Sequence, residues 1–486
     1  MPLAEKAPLE KILVVGGGVS GLACACALRR RGLPVLLLES GERFGGVVDT
    51  VERDAFVFDV GPQSFLATAP ISAWIAELGL ASKLLRADPR APRYILQRGR
   101  LVPAPLGPGA FLATPLVSLR TKLRLLTEPF HRTRPPAGDE SIAAFVRRKF
   151  GADLLDNLVA PFVSGVYAGD PEQLSLPSAF PSVRRFEEQS GSVIRGNIKA
   201  MRSRPASKKP EGRAPLCNFR GGLRTLVDAA AAHLGDSALR DAQVTSIRRA
   251  GGESSAAPGA VSHFEIAYTA GAAAHTLAAS AIIVATPTSA AADLLAAIEP
   301  QFAPALARIA YAPVVQIGAG YRLSHIAPGS PAAAARGFGF LVPRSEGLRL
   351  LGTVWNSCLF PGRAPETPER MIAFTSFLGG ATDPAVCDFP DDEVAALACA
   401  ELARVLHITG PPVALHVARW PRAIPQYNLG HARIVADLAD LCARTLGVFL
   451  TGNYFGGPSL GACVEHANQV ADAVASYLGP SAGGAA

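Results

Sequence analysis

The sequence predicts a multidomain protein that combines the α/β and α+β classes. Near the N-terminus a strand, a glycine-rich loop, a helix and a second strand follow one another, which is an α/β pattern. Short strand patterns recur from Tyr311 to Phe377 and predict a second, mostly antiparallel sheet, and helical patterns occupy much of the chain between them. Because 486 residues exceed what one hydrophobic core organises, we expect two or three domains.

The N-terminal pattern predicts a dinucleotide-binding unit. Lys11–Val15 is an apolar, β-branched run, which predicts a buried strand. Gly16 to Gly21 fits G-x-G-x-x-G and leads into a helical pattern from Val19 to Arg31. Leu33 to Leu38 is a second apolar strand, and Glu39 follows it directly. A strand, loop, helix, strand and acid in this order are typical of a Rossmann-like domain.

Each glycine of this loop has a physical role. Gly16 permits the tight turn out of the strand, Gly18 lets a pyrophosphate approach the backbone, and Gly21 lets the helix pack closely on the sheet. The helix N-terminus presents N–H groups to the phosphates. Glu39 can accept hydrogen bonds from ribose hydroxyls and would repel a 2′-phosphate, which disfavours NADP. The alternative is a glycine-rich turn in an ordinary buried βα unit.

The composition argues against several classes of protein. Hydrophobic residues make up 49% of the chain, but the most apolar window, Ile12 to Leu28, contains the glycine-rich loop and fits a buried strand and helix. The first ten residues are mixed and polar, so we expect no signal peptide. The eight cysteines form no C-x-x-C pair and the nine histidines no H-x-x-x-H pair. These spacings predict reduced thiols, a cytoplasmic setting and no metal site.

The chain carries a net charge of +7. No nucleic-acid-binding motif accompanies it, so an anionic substrate or an anionic membrane surface explains the charge better than nucleic acid. Leu101 to Arg134 mixes apolar residues with an excess of arginine and lysine, which suits either a peripheral membrane face or an ordinary basic helical surface. Arg195 to Arg213, rich in Arg, Lys, Ser and Pro, predicts an exposed linker.

A second glycine motif resembles the flavin amine-oxidase superfamily. After Glu39 come Ser40, Arg43 and Gly45-Gly46, which match its pattern E-x-x-x-R-x-G-G. Val47 stands where many members have an arginine, so one cofactor contact is missing here. The resemblance implies FAD, with the turn Gly61-Pro62-Gln63-Ser64 running along the isoalloxazine ring.

Motifs in the second half and middle of the chain resemble the oxygen-dependent protoporphyrinogen oxidase family. They are Gly165-Val166-Tyr167-Ala168-Gly169, Gly337-Phe338-Gly339, Pro425-Gln426-Tyr427 with Gly430-His431, Gly452-Asn453-Tyr454, and Ser459 to Glu465. This resemblance covers almost the whole chain. It implies a discontinuous Rossmann-like FAD-binding domain (1–90, 206–300 and 419–486), a helical membrane-associated and substrate region (91–205), and a mixed-sheet substrate domain (301–418).

The motifs and the resemblance together predict the site residues. Val244 would lie near the adenine, recognised through its backbone. The full set of predicted FAD-binding residues is Gly16, Gly17, Gly18, Val19, Ser20, Gly21, Glu39, Ser40, Arg43, Gly45, Gly46, Val47, Gly61, Pro62, Gln63, Ser64, Val244, Trp420, Gly452, Pro458, Ser459 and Leu460.

By position in the family's motifs, four residues contact substrate. Arg93 would pair with a propionate, Leu341 and Phe377 would sandwich pyrrole rings, and the Gly165 carbonyl would lie near the macrocycle. The alternatives are that Arg93 is an ordinary surface arginine, that Leu341 and Phe377 only pack in the core, and that Gly165 is a turn glycine. We assign no side chain as catalytic, because no strong general base is evident and the flavin supplies the redox chemistry.

The resemblance implies a function and its partners. The reaction is the six-electron oxidation of protoporphyrinogen IX to protoporphyrin IX by three O₂, with release of H₂O₂. The alternatives are coproporphyrinogen III oxidation and another flavin amine or carotenoid oxidoreductase. The implied partners are the inner face of the cell membrane, bound peripherally from the cytoplasm, ferrochelatase, and a second copy of the chain.

Overall fold

The computed structural model describes residues 11–203, 214–250 and 263–479. The first ten residues, where we expect no signal peptide, lie outside these ranges. The strands are β1 (Lys11–Val15), β2 (Val35–Leu38), β3 (Thr50–Arg53), β4 (Phe56–Asp59), β5 (Phe65–Leu66), β6 (Leu84–Arg86), β7 (Arg93–Gln97), β8 (Arg100–Pro103), β9 (Leu216–Phe219), β10 (Ala238–Leu239), β11 (Ala242–Arg249), β12 (Phe264–Ala270), β13 (Ala273–Val284), β14 (Tyr311–Arg322), β15 (Gly339–Leu341), β16 (Leu350–Val354), β17 (Met371–Gly379), β18 (Ala414–Pro425) and β19 (Val448–Leu450). The α-helices are α1 (Val19–Arg30), α2 (Ala69–Glu77), α3 (Pro108–Ala113), α4 (Leu119–Thr127), α5 (Ile142–Lys149), α6 (Ala152–Leu154), α7 (Ala160–Tyr167), α8 (Leu176–Ala179), α9 (Pro181–Ser190), α10 (Val193–Arg202), α11 (Arg224–Leu234), α12 (Thr288–Leu295), α13 (Phe302–Ala307), α14 (Asn356–Leu359), α15 (Asp391–Leu406), α16 (His431–Arg444) and α17 (Leu460–Leu478).

The first large sheet is the predicted dinucleotide-binding sheet. Its order is β10-β2-β1-β13-β12-β11, with β19 also paired to β13. The strands β10, β2, β1, β13 and β19 run parallel, whereas β12 and β11 are antiparallel. Ile12 and Val14 pack on one face with α1, α11 and α17, and Leu13 and Val15 pack on the other. This sheet therefore draws strands from three separate stretches of the chain, with helices on both faces.

The second large sheet has the order β18-β14-β17-β16-β15-β7-β8. Its neighbours are antiparallel except for β15 and β7, which run parallel. One face is covered by α15 and buries Trp355 and Phe374. Two predicted domain boundaries differ from the structure. The boundary between 418 and 419 falls inside β18, and β7 and β8, which lie in the predicted helical region 91–205, belong to this sheet.

The helical region runs from α3 to α10 and has its own core around Phe145, Val163 and Tyr167. A π-helical segment, Leu155–Val159, leads into α7. The helix α10 covers the start of the stretch predicted as an exposed linker from Arg195 to Arg213, so the linker prediction is wrong as far as Arg202. Its Ser192 cap and the packing of Gly196 on Phe186 explain this helix. Residues 204–213 lie outside the described ranges.

Candidate active site

The glycine-rich loop forms an open cradle at the start of α1. Gly16 has a φ of +106°, which the turn out of β1 requires. A Cβ at Gly21 would lie 1.9 Å from the Gly16 carbonyl oxygen, so the helix can pack here only because Gly21 has no side chain. A Cβ at Gly18 would meet no described atom within 4 Å. The loop thus leaves space beside the N-terminus of α1, where Val19 and Ser20 are buried, and this space fits a pyrophosphate.

Glu39 closes one side of this cradle. Its carboxylate accepts hydrogen bonds from the backbone N–H groups of Gly17 at 2.6 Å and Gly41 at 2.7 Å. The Glu39 carbonyl accepts from the Ala242 N–H at 2.8 Å, which brings the start of β11, and with it Val244, beside the acid. Ser40 is exposed next to Glu39. An anionic acceptor and a strand backbone therefore lie together where a ribose and an adenine would bind.

Arg43 stabilises the following turn. Its guanidinium donates to the carbonyls of Gly46 at 2.8 Å and of Phe44 and Val48 at 3.3 Å, and its Nε lies 3.3 Å from Asp49 Oδ2. Gly45 donates its N–H to the Gly17 carbonyl at 2.8 Å, so the turn lies against the cradle. These contacts of Arg43 are all with residues within six positions of it in the chain, and they stabilise the Gly45-Gly46-Val47 backbone.

The segment from Asp59 to Ser64 packs directly on that turn. A Cβ at Gly61 would lie 1.8 Å from the Val47 carbonyl oxygen. The indole N–H of Trp420, on β18, donates to the Val60 carbonyl. Gln63 is buried, while Pro62 and Ser64 are partly exposed beside it. The predicted isoalloxazine segment is therefore bounded by the cofactor turn on one side and by the second sheet on the other.

The C-terminal segment returns to the first sheet beside the cradle. Thr451 donates its N–H to the Val284 carbonyl at 3.0 Å, and Gly452 is buried next to it. Ser459 caps α17 by accepting from the Ala462 N–H at 3.2 Å, with Pro458 before it and Leu460 buried after it. The N-termini of α1 and α17 lie close together, because Ser20 and Cys463, each in the first turn of its helix, are hydrogen-bonded through their side chains.

The predicted substrate residues share one face of the second sheet. Strand register sets Phe377 opposite Gly352, Gly352 opposite Leu341, and Leu341 opposite Ile95. Residues that lie opposite one another project to the same face, so Phe377 and Leu341 flank Gly352 in a single row, and Arg93 stands two residues before Ile95 on that face. We call this the substrate face.

The helix α7 borders the substrate face. A Cβ at Gly165 would lie 2.4 Å from Leu341 Cδ2. The Arg93 guanidinium lies 4.7 Å above the Phe338 ring, a cation–π contact, and the Arg93 side chain is exposed. The structure therefore brings all four predicted substrate residues to one side of the sheet, although they are separated by as many as 284 positions in the chain.

The segment from Asp59 to Ser64, which we call the cofactor segment, and the strand β4 before it lie on the same face of the second sheet. The Phe58 and Phe56 rings cover Gly318 and Gly320 of β14, where an added Cβ would lie 2.8 and 2.5 Å from ring atoms. Gln316, the next residue with this orientation, donates to the Gly61 carbonyl at 2.7 Å. Sequence analysis missed Gln316; the available signal was one polar residue within the apolar strand pattern.

Gln426 and His431, from the motifs Pro425-Gln426-Tyr427 and Gly430-His431, have structural roles. Gln426 is buried and donates to the Tyr167 carbonyl at 3.0 Å, joining β18 to α7. His431 is buried, and its Nε2 lies 2.9 Å from the Tyr454 carbonyl. Burial lowers the pKa of His431, which keeps the ring neutral.

Comparison with known proteins identifies the family over nearly the whole chain. The flavin containing amine oxidoreductase family matches residues 19–475. A chloroplastic protoporphyrinogen oxidase of Oryza sativa subsp. japonica is 34% identical, covering 96% of this chain and 88% of the relative. The coproporphyrinogen III oxidase of Bacillus subtilis is 28% identical, covering 96% and 98%.

Solved structures share the fold. A crystal structure of a protein from Exiguobacterium sp. 255-15 superposes with a TM-score of 0.77 at 22% identity, covering 96% of this chain and 98% of that one. A putrescine oxidase bound to putrescine gives 0.67 at 17% identity, covering 96% and 99%. With the cradle, the turn at Gly45 and the family match in place, the chain belongs to the flavin containing amine oxidoreductase family and is an oxidoreductase whose cofactor is FAD.

Proposed function

We propose that this chain oxidises protoporphyrinogen IX to protoporphyrin IX, with O₂ as the final acceptor and H₂O₂ as the second product. The observation that carries the proposal is the substrate face, where Arg93, Leu341 and Phe377 project to the same side of the sheet. Phe377 lies opposite Gln316, whose amide bonds to the Gly61 carbonyl. The 34% identical rice relative, named a protoporphyrinogen oxidase, supports the same substrate class.

The cofactor residues act by binding and orientation. Bound FAD supplies hydride acceptance from the substrate and passes the electrons to O₂. Gly18 and the N-terminus of α1 would bind the pyrophosphate, and Glu39 would accept from the ribose hydroxyls. The Gly61 segment and Trp420 would border the ring system.

The substrate residues orient a flat, apolar macrocycle that carries carboxylates. Arg93 would pair with a propionate through two parallel hydrogen bonds, which a lysine cannot supply. Leu341 and Phe377 would contact the pyrrole rings on the substrate face, with the Gly165 end of α7 above Leu341. Positioning is then the main contribution of the protein to the rate.

A direct assay separates the two porphyrinogens. The FAD-loaded protein is given protoporphyrinogen IX and coproporphyrinogen III in parallel, and porphyrin fluorescence and peroxide are measured. We expect faster oxidation of protoporphyrinogen, with three peroxides per porphyrin. Preference for coproporphyrinogen would assign the activity named for the Bacillus subtilis relative, and oxidation of neither would overturn the proposal.

The helical region supports a proposal of peripheral membrane binding. On α4 Leu119, Leu123 and Leu126 repeat on one helix face and are more than half exposed, and Phe130 after it is 83% exposed. Arg120, Lys122 and Arg124 share the helix with them. Within the described residues no helix is both long enough and apolar enough to cross a membrane. An exposed apolar stripe with flanking cations fits insertion into the headgroup layer.

Vesicle sedimentation tests this surface. The protein should pellet with anionic vesicles at low salt and less so at high salt, because part of the attraction is electrostatic. Leu123→Asp together with Phe130→Asp should abolish pelleting, whereas Leu446→Asp, on an exposed leucine of the cofactor region, should not. Equal pelleting of both variants would contradict the proposal. A homodimer, a contact with ferrochelatase and a place on the cytoplasmic face of the cell membrane stay predictions.

A further inference from the structure

We propose that Gln316 is a positioning residue for the oxidation: it anchors the cofactor-bordering segment Asp59–Gln63 to the strand that pairs with Phe377. The inference rests on the proposed function, because it concerns the distance between the FAD ring and the substrate on the substrate face. Gln316 acts through Gly61 and is not assigned a contact with the reacting atoms.

The carbonyls of this segment are held from outside it. Gln316 Nε2 donates to the Gly61 carbonyl at 2.7 Å, and the Trp420 indole donates to the Val60 carbonyl. Both donors come from the second sheet, Gln316 from β14 and Trp420 from the adjacent β18. Consecutive carbonyls of the cofactor segment are therefore bonded to neighbouring strands of the sheet that carries the substrate face.

A second amide reinforces the same carbonyl. Gln63 Nε2 donates to the carbonyls of Asp59 at 2.6 Å and Gly61 at 3.0 Å. Its Oε1 accepts from Asn356 Nδ2 at 2.6 Å, and Asn356 begins α14 directly after β16 and Trp355. The segment thus has a second connection to the sheet, through Gln63 and Asn356, and both connections meet at Gly61.

Strand register makes Gln316 the link between cofactor and substrate. Gln316 lies directly opposite Phe377 across the antiparallel pair β14 and β17. Opposed residues of such a pair project to the same face with their Cβ atoms about 5 Å apart. On its other side Gly61 packs on the Val47 carbonyl of the cofactor turn. The Gln316 side chain therefore connects β14, the strand paired with Phe377, to the Gly61 backbone that would border the flavin ring.

The bond is specific in its direction. The Gly61 carbonyl can only accept, so the amide nitrogen must face it, and Gln316 is 6% exposed, which keeps water from replacing it. A methionine would fill nearly the same volume without the N–H. Because shape would be kept and the bond lost, such a variant tests the anchor and not the packing.

The decisive experiment measures two steps separately in Gln316→Met: reduction of the flavin by substrate and its reoxidation by O₂. We expect unchanged FAD content and, in anaerobic equilibrium dialysis with dithionite-reduced enzyme, a dissociation constant for protoporphyrinogen IX within about twofold of the wild-type value. The rate of flavin reduction by substrate should fall roughly tenfold, because a small displacement of one reactant weakens the reacting geometry. Reoxidation by O₂ should be unchanged, because it needs no substrate.

Hydrogen exchange gives a readout that does not depend on turnover. Peptides that contain residues 59–63 should exchange faster in Gln316→Met than in wild type. Gln469→Met, on an exposed glutamine of α17, is the matched control and should change neither exchange nor rate. Gln316→Glu retains an oxygen that donates when protonated, so its reduction rate relative to wild type should recover as the pH is lowered, and this variant also serves if Gln316→Met does not retain FAD.

The outcomes are distinct. Equal flavin reduction and equal exchange in Gln316→Met and Gln469→Met would overturn the inference. A loss confined to substrate affinity would also overturn it, since Gln316 would then contact the macrocycle and not position the ring. If wild-type protein oxidises neither porphyrinogen, the proposed function fails, whereas faster exchange of residues 59–63 would still support the anchor.

Discussion

The cofactor cradle and the substrate face are built in different ways. In the cradle, and in the segment around Gly61 that packs on the turn beside it, the close neighbours are backbone atoms: a Cβ added at Gly21 or Gly61 would lie 1.9 or 1.8 Å from a carbonyl oxygen. Where α7 packs on the substrate face, the close contact is between Gly165 and the end of a flexible side chain, Leu341. Within the sheet itself Gly352 resembles the cradle glycines, because a Cβ there would lie 2.6 Å from the Phe340 carbonyl oxygen. A backbone contact cannot yield without moving the chain, whereas a leucine can rotate.

This difference distinguishes residues that the fold needs, such as the packed glycines, from residues that are needed to bind substrate. The cradle should tolerate almost no substitution at its packed glycines, because a change there moves β1 or α1. The positions of Arg93, Leu341 and Gly165 on the substrate face should tolerate substitution without loss of the fold or of FAD. The predictions that follow test this contrast, beginning with the largest effect.

The largest effect is expected from Gly21→Ala. Its Cβ would overlap the Gly16 carbonyl, so α1 must move from the sheet, at a cost of more than about 3 kcal/mol. We expect little soluble, FAD-loaded protein, measured by flavin absorbance after purification. Gly18→Ala is the control: with φ −69° and ψ 175° the position accepts any residue. It should melt like wild type without FAD but bind FAD more weakly, because its methyl group enters the phosphate space. Equal behaviour of the two variants would contradict the contrast.

The second effect concerns the charge on the substrate face. Arg93→Ala should lower kcat/KM roughly ten- to a hundredfold, since a charge-assisted bond to a propionate is worth about 1.5–3 kcal/mol. FAD content should stay constant, and Arg93→Lys should recover only part of the loss. Arg100→Ala, in the next strand of the same hairpin, is the control and should leave kcat/KM unchanged. Wild-type kinetics in Arg93→Ala would remove it from the site.

The same contrast explains what the sequence could predict. The cradle is local: Gly16 to Gly21 and Glu39 lie within one βαβ unit, and each has a role that follows from backbone geometry, so their placement was predictable. The substrate face is not local. Arg93, Leu341 and Phe377 meet through strand register between distant segments, and only resemblance to a family suggested them.

Buried polar contacts were the least predictable part. Gln316 and Asn356 are single polar residues whose partners, Gly61 and Gln63, lie more than 250 positions away. No local pattern encodes such a pair. The predicted linker was wrong at its start for a related reason: α10 is held by Ser192 and by Glu128, which accepts from the Val193 N–H at 2.9 Å, a contact across 65 positions.

Acid should weaken the two parts of the molecule in different pH ranges. In the C-terminal segment, where its ring lies 3.1 Å from the Thr451 hydroxyl, burial lowers the pKa of His466 from 6.5 to about 4, so the stability it contributes is present above pH 6.5 and is lost as the pH falls through about 4. In the helical region burial alone would raise the pKa of Glu187, but hydrogen bonds from Arg148, Thr133 and Lys149 outweigh it and lower the pKa from 4.5 to about 2. That contribution is present above pH 4.5 and is lost towards pH 2.

Urea unfolding at a series of pH values tests these ranges. Each group should contribute about 2–3 kcal/mol at most to the free energy of unfolding. His466→Gln should flatten the loss between pH 6.5 and 4, and Glu187→Gln the loss below pH 4.5. A Glu187→Gln variant that changed only the loss between pH 6.5 and 4.5 would contradict the assignment of the acid range to Glu187.

The smallest effect is expected from Gly165→Ala, and it is the closest counterpart of Gly21→Ala. Both add one methyl group that meets an atom at a forbidden distance, but here the atom is Leu341 Cδ2, at 2.4 Å. Leu341 can turn towards the substrate face, and alanine is favoured over glycine within α7 by up to about 1 kcal/mol. We therefore expect a melting temperature equal to or above that of wild type, unchanged FAD content, and a KM raised a few-fold with little change in kcat, because the displaced leucine occupies space that the macrocycle needs. The double variant Gly165→Ala with Leu341→Ala should show non-additive KM values, since removal of the leucine removes the displaced group. Additive effects, or loss of FAD in Gly165→Ala, would show that this face is as rigid as the cradle.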